Sequence, residues 1–223
     1  MSGTGRRRIE LRPAAVISNT EIVHGVYVME IEKHSDFVPG QLIAAAQHPD
    51  DEPRLYSIAC GKDHPTLRIL YDVKPDGVLT PAMAVMKSGD VLYISSPFGR
   101  FTRTPENSWW IATGTGIAPF VSMTESGESA NRTLLHGARY RDNFFFQDLF
   151  IERMEGRYLR FCTGEQGPGL IEGRITSYLK ESNDIRPEIK YYLCGSADMV
   201  VEVRDILLQR GVPFDNIIAE IYF

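Results

Sequence analysis

Hydrophobic and polar positions change their period near the middle of the chain. In the first hundred residues they alternate in short runs, Val26-Tyr27-Val28-Met29-Glu30-Ile31, Thr66-Leu67-Arg68-Ile69-Leu70-Tyr71 and Asp90-Val91-Leu92-Tyr93-Ile94. Successive side chains of an extended chain point to opposite faces, so these runs predict half-buried strands. Pro39-Gly40, Pro75-Asp76-Gly77, Ser88-Gly89-Asp90 and Pro97-Phe98-Gly99 supply turns between them, and the pattern predicts a six-stranded antiparallel barrel. From Ser108 onward, apolar runs at Trp109 to Ala112, Thr133 to Leu135, Tyr158 to Cys162, Tyr191 to Cys194 and Ile217 to Ile221 alternate with other segments of helix length. Those segments lie near Pro119 to Ser126, Phe144 to Met154, Ile171 to Lys180 and Asp198 to Gln209. Strand alternating with helix predicts a five-stranded parallel, doubly wound sheet that binds ligands at its C-terminal strand ends. The boundary falls at Thr104-Pro105-Glu106-Asn107, giving expected domains of residues 1–104 and 105–223.

Composition narrows the chemistry. With 43% hydrophobic and 24% charged residues, the chain reads as an ordinary globular protein. No stretch approaches a membrane span and the start has no apolar signal core, so a cytoplasmic location is expected. Cys60, Cys162 and Cys194 are too few and too far apart for a disulfide framework or an intrinsic iron-sulfur cluster, which leaves an organic cofactor as the expected redox centre. A net charge of -5 argues against nucleic acid as a partner. Arg6, Arg7, Arg8 and Arg12 form a local basic cluster, read as a solvated tail or as a dock for an acidic partner.

Two motifs carry chemical content. Thr113-Gly114-Thr115-Gly116-Ile117-Ala118-Pro119 follows the first strand of the second half and opens a helix, where glycines let backbone approach a diphosphate and free amides favour an anion. Pro119 stands where the usual dinucleotide fingerprint has its third glycine, and proline suits a first helical turn. Arg54-Leu55-Tyr56-Ser57 lies in a barrel strand whose alternation puts Arg54 and Tyr56 on one face and Ser57 on the other. A guanidinium pairs with phosphate, and an aromatic ring beside it stacks on a flat heterocycle.

Together with Gly77-Val78-Leu79-Thr80, Cys194-Gly195 and Glu220-Ile221-Tyr222-Phe223, these motifs occur in an order that resembles the ferredoxin-NADP reductase family, from about Val16 to Phe223. The phrase Val73 to Thr80 and the aromatic after Tyr222 resemble its bacterial branch. The resemblance implies that the barrel binds a flavin, FAD in preference to FMN, and that the second half binds NADP(H), with NAD(H) as the alternative nucleotide. Arg54 would bind the flavin phosphate, Leu55 belongs to the same flavin-contacting segment, Tyr56 would stack on the isoalloxazine, and Ser57 would hydrogen-bond near its reactive edge. Gly77, Val78, Leu79 and Thr80 would serve the flavin diphosphate, and Thr115 and Gly116 the nucleotide diphosphate. Cys194 and Gly195 would lie beside the nicotinamide, and Glu220 would favour its positive charge as hydride leaves. Tyr222 would cover the flavin, with Phe223 packing at its adenine end.

Arg139 and Arg174 match positions that carry 2′-phosphate-binding arginines in bacterial members, while Thr163-Gly164-Glu165 replaces a serine-arginine-glutamate and lacks a third arginine. The implied activity is hydride transfer between NADP(H) and FAD, with single electrons passing between FAD and ferredoxin or flavodoxin by a monomer. Two alternatives stand beside it: a reductase subunit with a fixed acceptor in a larger oxygenase or redox complex, and a non-catalytic flavin- or nucleotide-binding module.

Overall fold

The computed structural model describes the backbone of residues 9–222 and side chains through Ile221. Arg6, Arg7, Arg8, Phe223 and the Tyr222 side chain, named above, lie outside the described residues. Arg12 pairs with Glu10 at 3.0 Å.

The first sheet is antiparallel and contains β1 (Arg12–Val23), β2 (Val26–Glu32), β3 (Leu42–Ala46), β4 (Arg54–Ser57), β5 (Thr66–Asp72) and β6 (Val91–Ile94). Their order is β4-β3-β6-β1-β2-β5. Irregularities after Val16 and after Glu21 bend β1, which pairs with β6 through its first residues and with β2 through the rest. The two edges meet where Ile58 bridges Ile69 and the Ala59 amide donates to the Arg68 carbonyl at 2.7 Å, so the six strands close. Met29, Ile31, Ile43, Ile58, Leu67 and Ile69 fill the interior, each fully buried. The run Leu42-Ile43-Ala44-Ala45-Ala46 is buried on both faces and therefore shows no alternation to mark it as β3. Between β5 and β6, the short helix α1 (Leu79–Ala84) inserts Met83 into the barrel core.

All strands of the second sheet are parallel: β7 (Trp109–Thr113), β8 (Thr133–Ala138), β9 (Tyr158–Cys162), β10 (Leu170–Glu172), β11 (Tyr191–Ser196) and β12 (Ile217–Tyr222). The order β10-β9-β8-β7-β11-β12 reverses direction at β7, and a ligand crevice belongs where such a reversal occurs. The sheet has six strands rather than five. Ile171, read as the start of a helix, belongs to β10; Gly173, at φ +102°, separates it from α4 (Ile175–Glu181). Helix α3 (Gln147–Arg153) begins three residues later than the pattern suggests, because Phe146 takes φ +56° and interrupts the helical path. Helices α2 (Ala118–Glu125) and α5 (Ala197–Gln209) complete the layers. Trp109-Trp110-Ile111-Ala112 is buried throughout, as a central strand with helices on both faces requires.

Candidate functional site

The carboxyl ends of β7 and β11 come together at small residues. A side chain at Gly116 would place its Cβ 2.4 Å from the Cys194 carbonyl oxygen, so the turn opening α2 rests directly on the Cys194-Gly195 backbone. Gly195 has φ +149°, and a Cβ there would lie 2.4 Å from Thr113 Oγ1. Only glycine allows both approaches, which leave an open floor of backbone at the switch point. Thr113 Oγ1 is buried without a hydrogen-bond partner, and Thr113 lines the cavity above this floor. An orphaned hydroxyl facing a cavity suits a polar ligand.

Cys194 stands opposite Glu220 in the register of β11 and β12. Across the gap between the two sheets, Ser57 Oγ donates to Glu220 Oε2 at 3.3 Å. The predicted set Ser57, Cys194 and Glu220 is therefore brought together from the two halves of the chain. Burial pushes the Glu220 carboxyl up from 4.5 to about 7, and the Ser57 hydrogen bond offsets part of that rise. A carboxyl in this range exchanges its proton near neutrality.

The cavity beyond Thr113 has a volume of about 480 Å³ and reaches from Gly114 and Thr115 to Arg139, Thr163 and Arg174. Arg139 and Arg174 are exposed at its rim, and neither enters an ion pair with the described residues. The guanidinium of Arg139 lies over the Tyr140 ring, 5.2 Å from its centre. At Gly164, where the family resemblance implies an arginine, the amide donates to the Arg139 carbonyl at 2.7 Å, and a Cβ would lie 2.5 Å from that oxygen. The loop is packed so closely there that a longer side chain requires it to move. Sequence reasoning did not find Asp72, Ser196, Asp198, Met199 or Glu202, which also line the cavity. Ser196 had a readable signal, since it caps α5 by accepting from the Met199 amide at 3.4 Å.

Arg54 and Tyr56 share the inner side of β4, opposite Ala45 and Ile43 of β3, whereas Leu55 and Ser57 face outward. Arg54 and Leu55 are exposed. Tyr56 is only 9% exposed and packs edge-on to Tyr71 with ring centres 6.4 Å apart. Desolvation raises the Tyr56 phenol above its ordinary range, and the nearby Arg54 charge partly offsets this. Gly77 closes a turn by donating to the Lys74 carbonyl at 2.8 Å, and Val78 leads into α1 without a side-chain cap. Leu79 and Thr80 form the first turn of α1, where Thr80 Oγ1 accepts the Lys74 amide at 2.9 Å. Tyr222 pairs through its backbone with Ser196.

Among the described residues, no helix is long and apolar enough to cross a membrane, and no group of three or more histidines, cysteines and acids is placed to hold a metal.

Residues 110–205 match the oxidoreductase NAD-binding domain family. A flavodoxin/ferredoxin–NADP reductase of Escherichia coli is 32% identical over 190 residues, covering 74% of this chain and 76% of its own. A probable dihydroorotate dehydrogenase B electron transfer subunit of Pyrococcus horikoshii is 25% identical, covering 88% and 74%. In structure, a ferredoxin NADP+ reductase from Neisseria gonorrhoeae with bound FAD and NADP superposes with a TM-score of 0.87 over 97% of this chain and 100% of that one, at 20% identity. The fold and these similarities define an oxidoreductase. This chain belongs to the ferredoxin-NADP reductase family.

Proposed function

We propose that this protein is a flavoenzyme that carries hydride between NADP(H) and FAD and single electrons between FAD and ferredoxin or flavodoxin. The observation that carries the reading is the Ser57-Glu220 hydrogen bond beside Cys194, because it joins the barrel to the nucleotide cavity at one polar point. A bound flavin supplies the step that links two-electron with one-electron transfer. On this reading residues 1–104 form the flavin domain and 105–223 the nucleotide domain.

The residues present fit both groups. Arg54 is exposed and its guanidinium makes no hydrogen bond or ion pair with another described residue, which suits a phosphate ligand. Ser57 reaches the second sheet through Glu220, Leu55 lies exposed on the same side of β4, and Gly77, Val78, Leu79 and Thr80 supply backbone for the diphosphate. Tyr56 has little open surface, so its contact with a flavin is confined to the part of the ring left at the barrel mouth. For the nucleotide, Thr115 and Gly116 take the diphosphate and Arg139 and Arg174 the 2′-phosphate. Gly195 and the Thr113 hydroxyl receive the nicotinamide end beside Cys194. Glu220, held by Ser57, keeps a proton or a negative charge next to that ring, and the charged form favours the oxidised nicotinamide. The family resemblance assigns Tyr222 to the cover of the flavin and Phe223 to its adenine end, and both side chains lie outside the described residues.

Reconstitution of the purified protein with FAD, followed by NADPH-driven reduction of a ferredoxin or flavodoxin, tests the proposal. Tight yellow reconstitution with turnover supports it, and failure to retain flavin overturns it. The similarity to an electron transfer subunit supports a second reading, a reductase bound to a fixed acceptor subunit. A stoichiometric second chain on purification decides for that one.

A further inference from the structure

Away from the cavity, one polar cluster ties the barrel to the nucleotide half. Arg68 of β5 lies opposite Glu30 of β2, with Nε 3.6 Å from the Glu30 carboxylate. Its Nη1 donates to Glu125 Oε1 at 2.9 Å and to the Ala59 carbonyl at 3.3 Å, while Nη2 reaches His64 Nε2 at 3.1 Å. The guanidinium also lies 6.0 Å from the centre of the Phe146 ring, which precedes α3. The other oxygen of Glu125 accepts the Gly61 amide at 2.8 Å, and the next residue, Ser126, accepts the Lys62 amide at 3.0 Å. A Cβ at Gly61 would stand 3.0 Å from Glu125 Cβ, so backbone and side chain are already in contact. The Arg68 and Glu125 side chains are 16% and 25% exposed, which sets this pair apart from the solvated surface pairs elsewhere.

The position of the cluster along the chain gives it a consequence. Glu125 is the last residue of α2, and that helix begins where Gly116 rests on Cys194. An eight-residue helix is a rigid rod of about 12 Å. On the barrel side, Gly61 follows Ser57 by four residues, and Ala59 between them is bonded to β5 at Arg68. One carboxylate thus fixes the far end of the rod to the segment that carries Ser57. We infer that Arg68 and Glu125 are positioning residues that set the register between the flavin edge at Ser57 and the nicotinamide floor at Gly116 and Cys194. The inference rests on the proposed function, since it assigns those two sites their ligands. Neither residue touches the cavity or the Ser57-Glu220 pair.

Hydride transfer depends steeply on donor-acceptor distance, and a misplacement near 1 Å costs on the order of 100-fold. The test is anaerobic stopped-flow reduction of the flavin-loaded protein by NADPH, comparing wild type with Arg68→Met, Glu125→Ala and Glu125→Gln. Expected are a 10- to 100-fold lower limiting reduction rate for Arg68→Met and Glu125→Ala, a weaker flavin-nicotinamide charge-transfer band, and unchanged flavin content and nucleotide affinity. Glu125→Gln keeps an acceptor for the Gly61 amide and recovers part of the rate. If a variant fails to fold, Ser126→Ala removes only the Lys62 contact and is expected to give a smaller rate loss in the same direction. Unchanged limiting rate and charge-transfer band in variants that are merely less stable overturn the inference. Absence of any flavin reduction in wild type overturns the proposed function instead.

Discussion

Replacing Glu220 by glutamine keeps the shape of the side chain while removing its ionisation, and its effect depends on pH in a way the structure fixes. Burial raises this carboxyl from 4.5 to about 7 in the folded protein. Below the unfolded value both states are protonated and the group contributes no pH-dependent penalty. Between the two values the folded state holds a proton that the unfolded chain has released, so stability falls as pH rises through this window. Above about 7 the full cost is present, at most about 3 kcal/mol for a rise of this size. Glu220→Gln is therefore expected to melt near the wild-type temperature at pH 4.5 and up to about 6 to 12 °C higher at pH 8.5, from the usual shift per kcal/mol in a chain of this length. Thermal unfolding of both proteins across this range is the assay. The companion variant Ser57→Ala removes the hydrogen bond that lowers the Glu220 value, so the upper limit of its destabilising window extends to higher pH. A melting-temperature difference between Glu220→Gln and wild type that is constant across the range would refute the reasoning, because it would show that Glu220 does not titrate near neutrality.

Other positions give independent tests. Gly116→Ala brings a Cβ to 2.4 Å from the Cys194 carbonyl, so flavin reduction by NADPH is expected to slow at least about 100-fold in stopped flow while flavin content is retained. If Arg139 and Arg174 hold the 2′-phosphate as proposed, Arg139→Ala and Arg174→Ala each remove a charge-assisted contact of a kind worth about 1.5 to 3 kcal/mol, and the ratio of kcat/KM for NADPH over NADH should fall roughly 10- to 100-fold. An unchanged ratio would move 2′-phosphate recognition elsewhere. His136 is fully buried, bonded through Nδ1 to the Tyr158 hydroxyl at 2.9 Å, and desolvation lowers it from 6.5 to about 3. The unfolded chain takes up a proton below 6.5 that the folded state refuses, so this group costs about 2 kcal/mol by pH 5. His136→Phe should flatten that acid limb in denaturant titrations at pH 5 and 7, even if the lost Tyr158 contact lowers stability at both.

The change of period near residue 104 revealed the barrel and the parallel sheet because half-buried antiparallel strands alternate and fully buried parallel strands form short apolar runs. What the pattern missed has local causes. Leu42 to Ala46 is apolar on both faces, and Leu170 to Glu172 is three residues between glycines, so neither shows a usable period. The geometry of the candidate site was legible where it is local: glycines where backbones meet, and a polar serine at the end of a strand. The lining contributed by Asp72, Asp198 and Glu202 was not, since cavity walls depend on which loops the fold brings together. The Arg68-Glu125 contact is hidden for the same reason, with 57 positions separating its partners in sequence.

The most direct test of the central claim is anaerobic titration of the flavin-loaded protein with NADPH, followed by visible absorption, with Glu220→Gln and Gly116→Ala alongside. Bleaching of the flavin bands at one equivalent in wild type, with much slower bleaching in Gly116→Ala at equal flavin content, is the predicted result. A protein that holds flavin yet stays oxidised in excess NADPH and NADH would contradict the account.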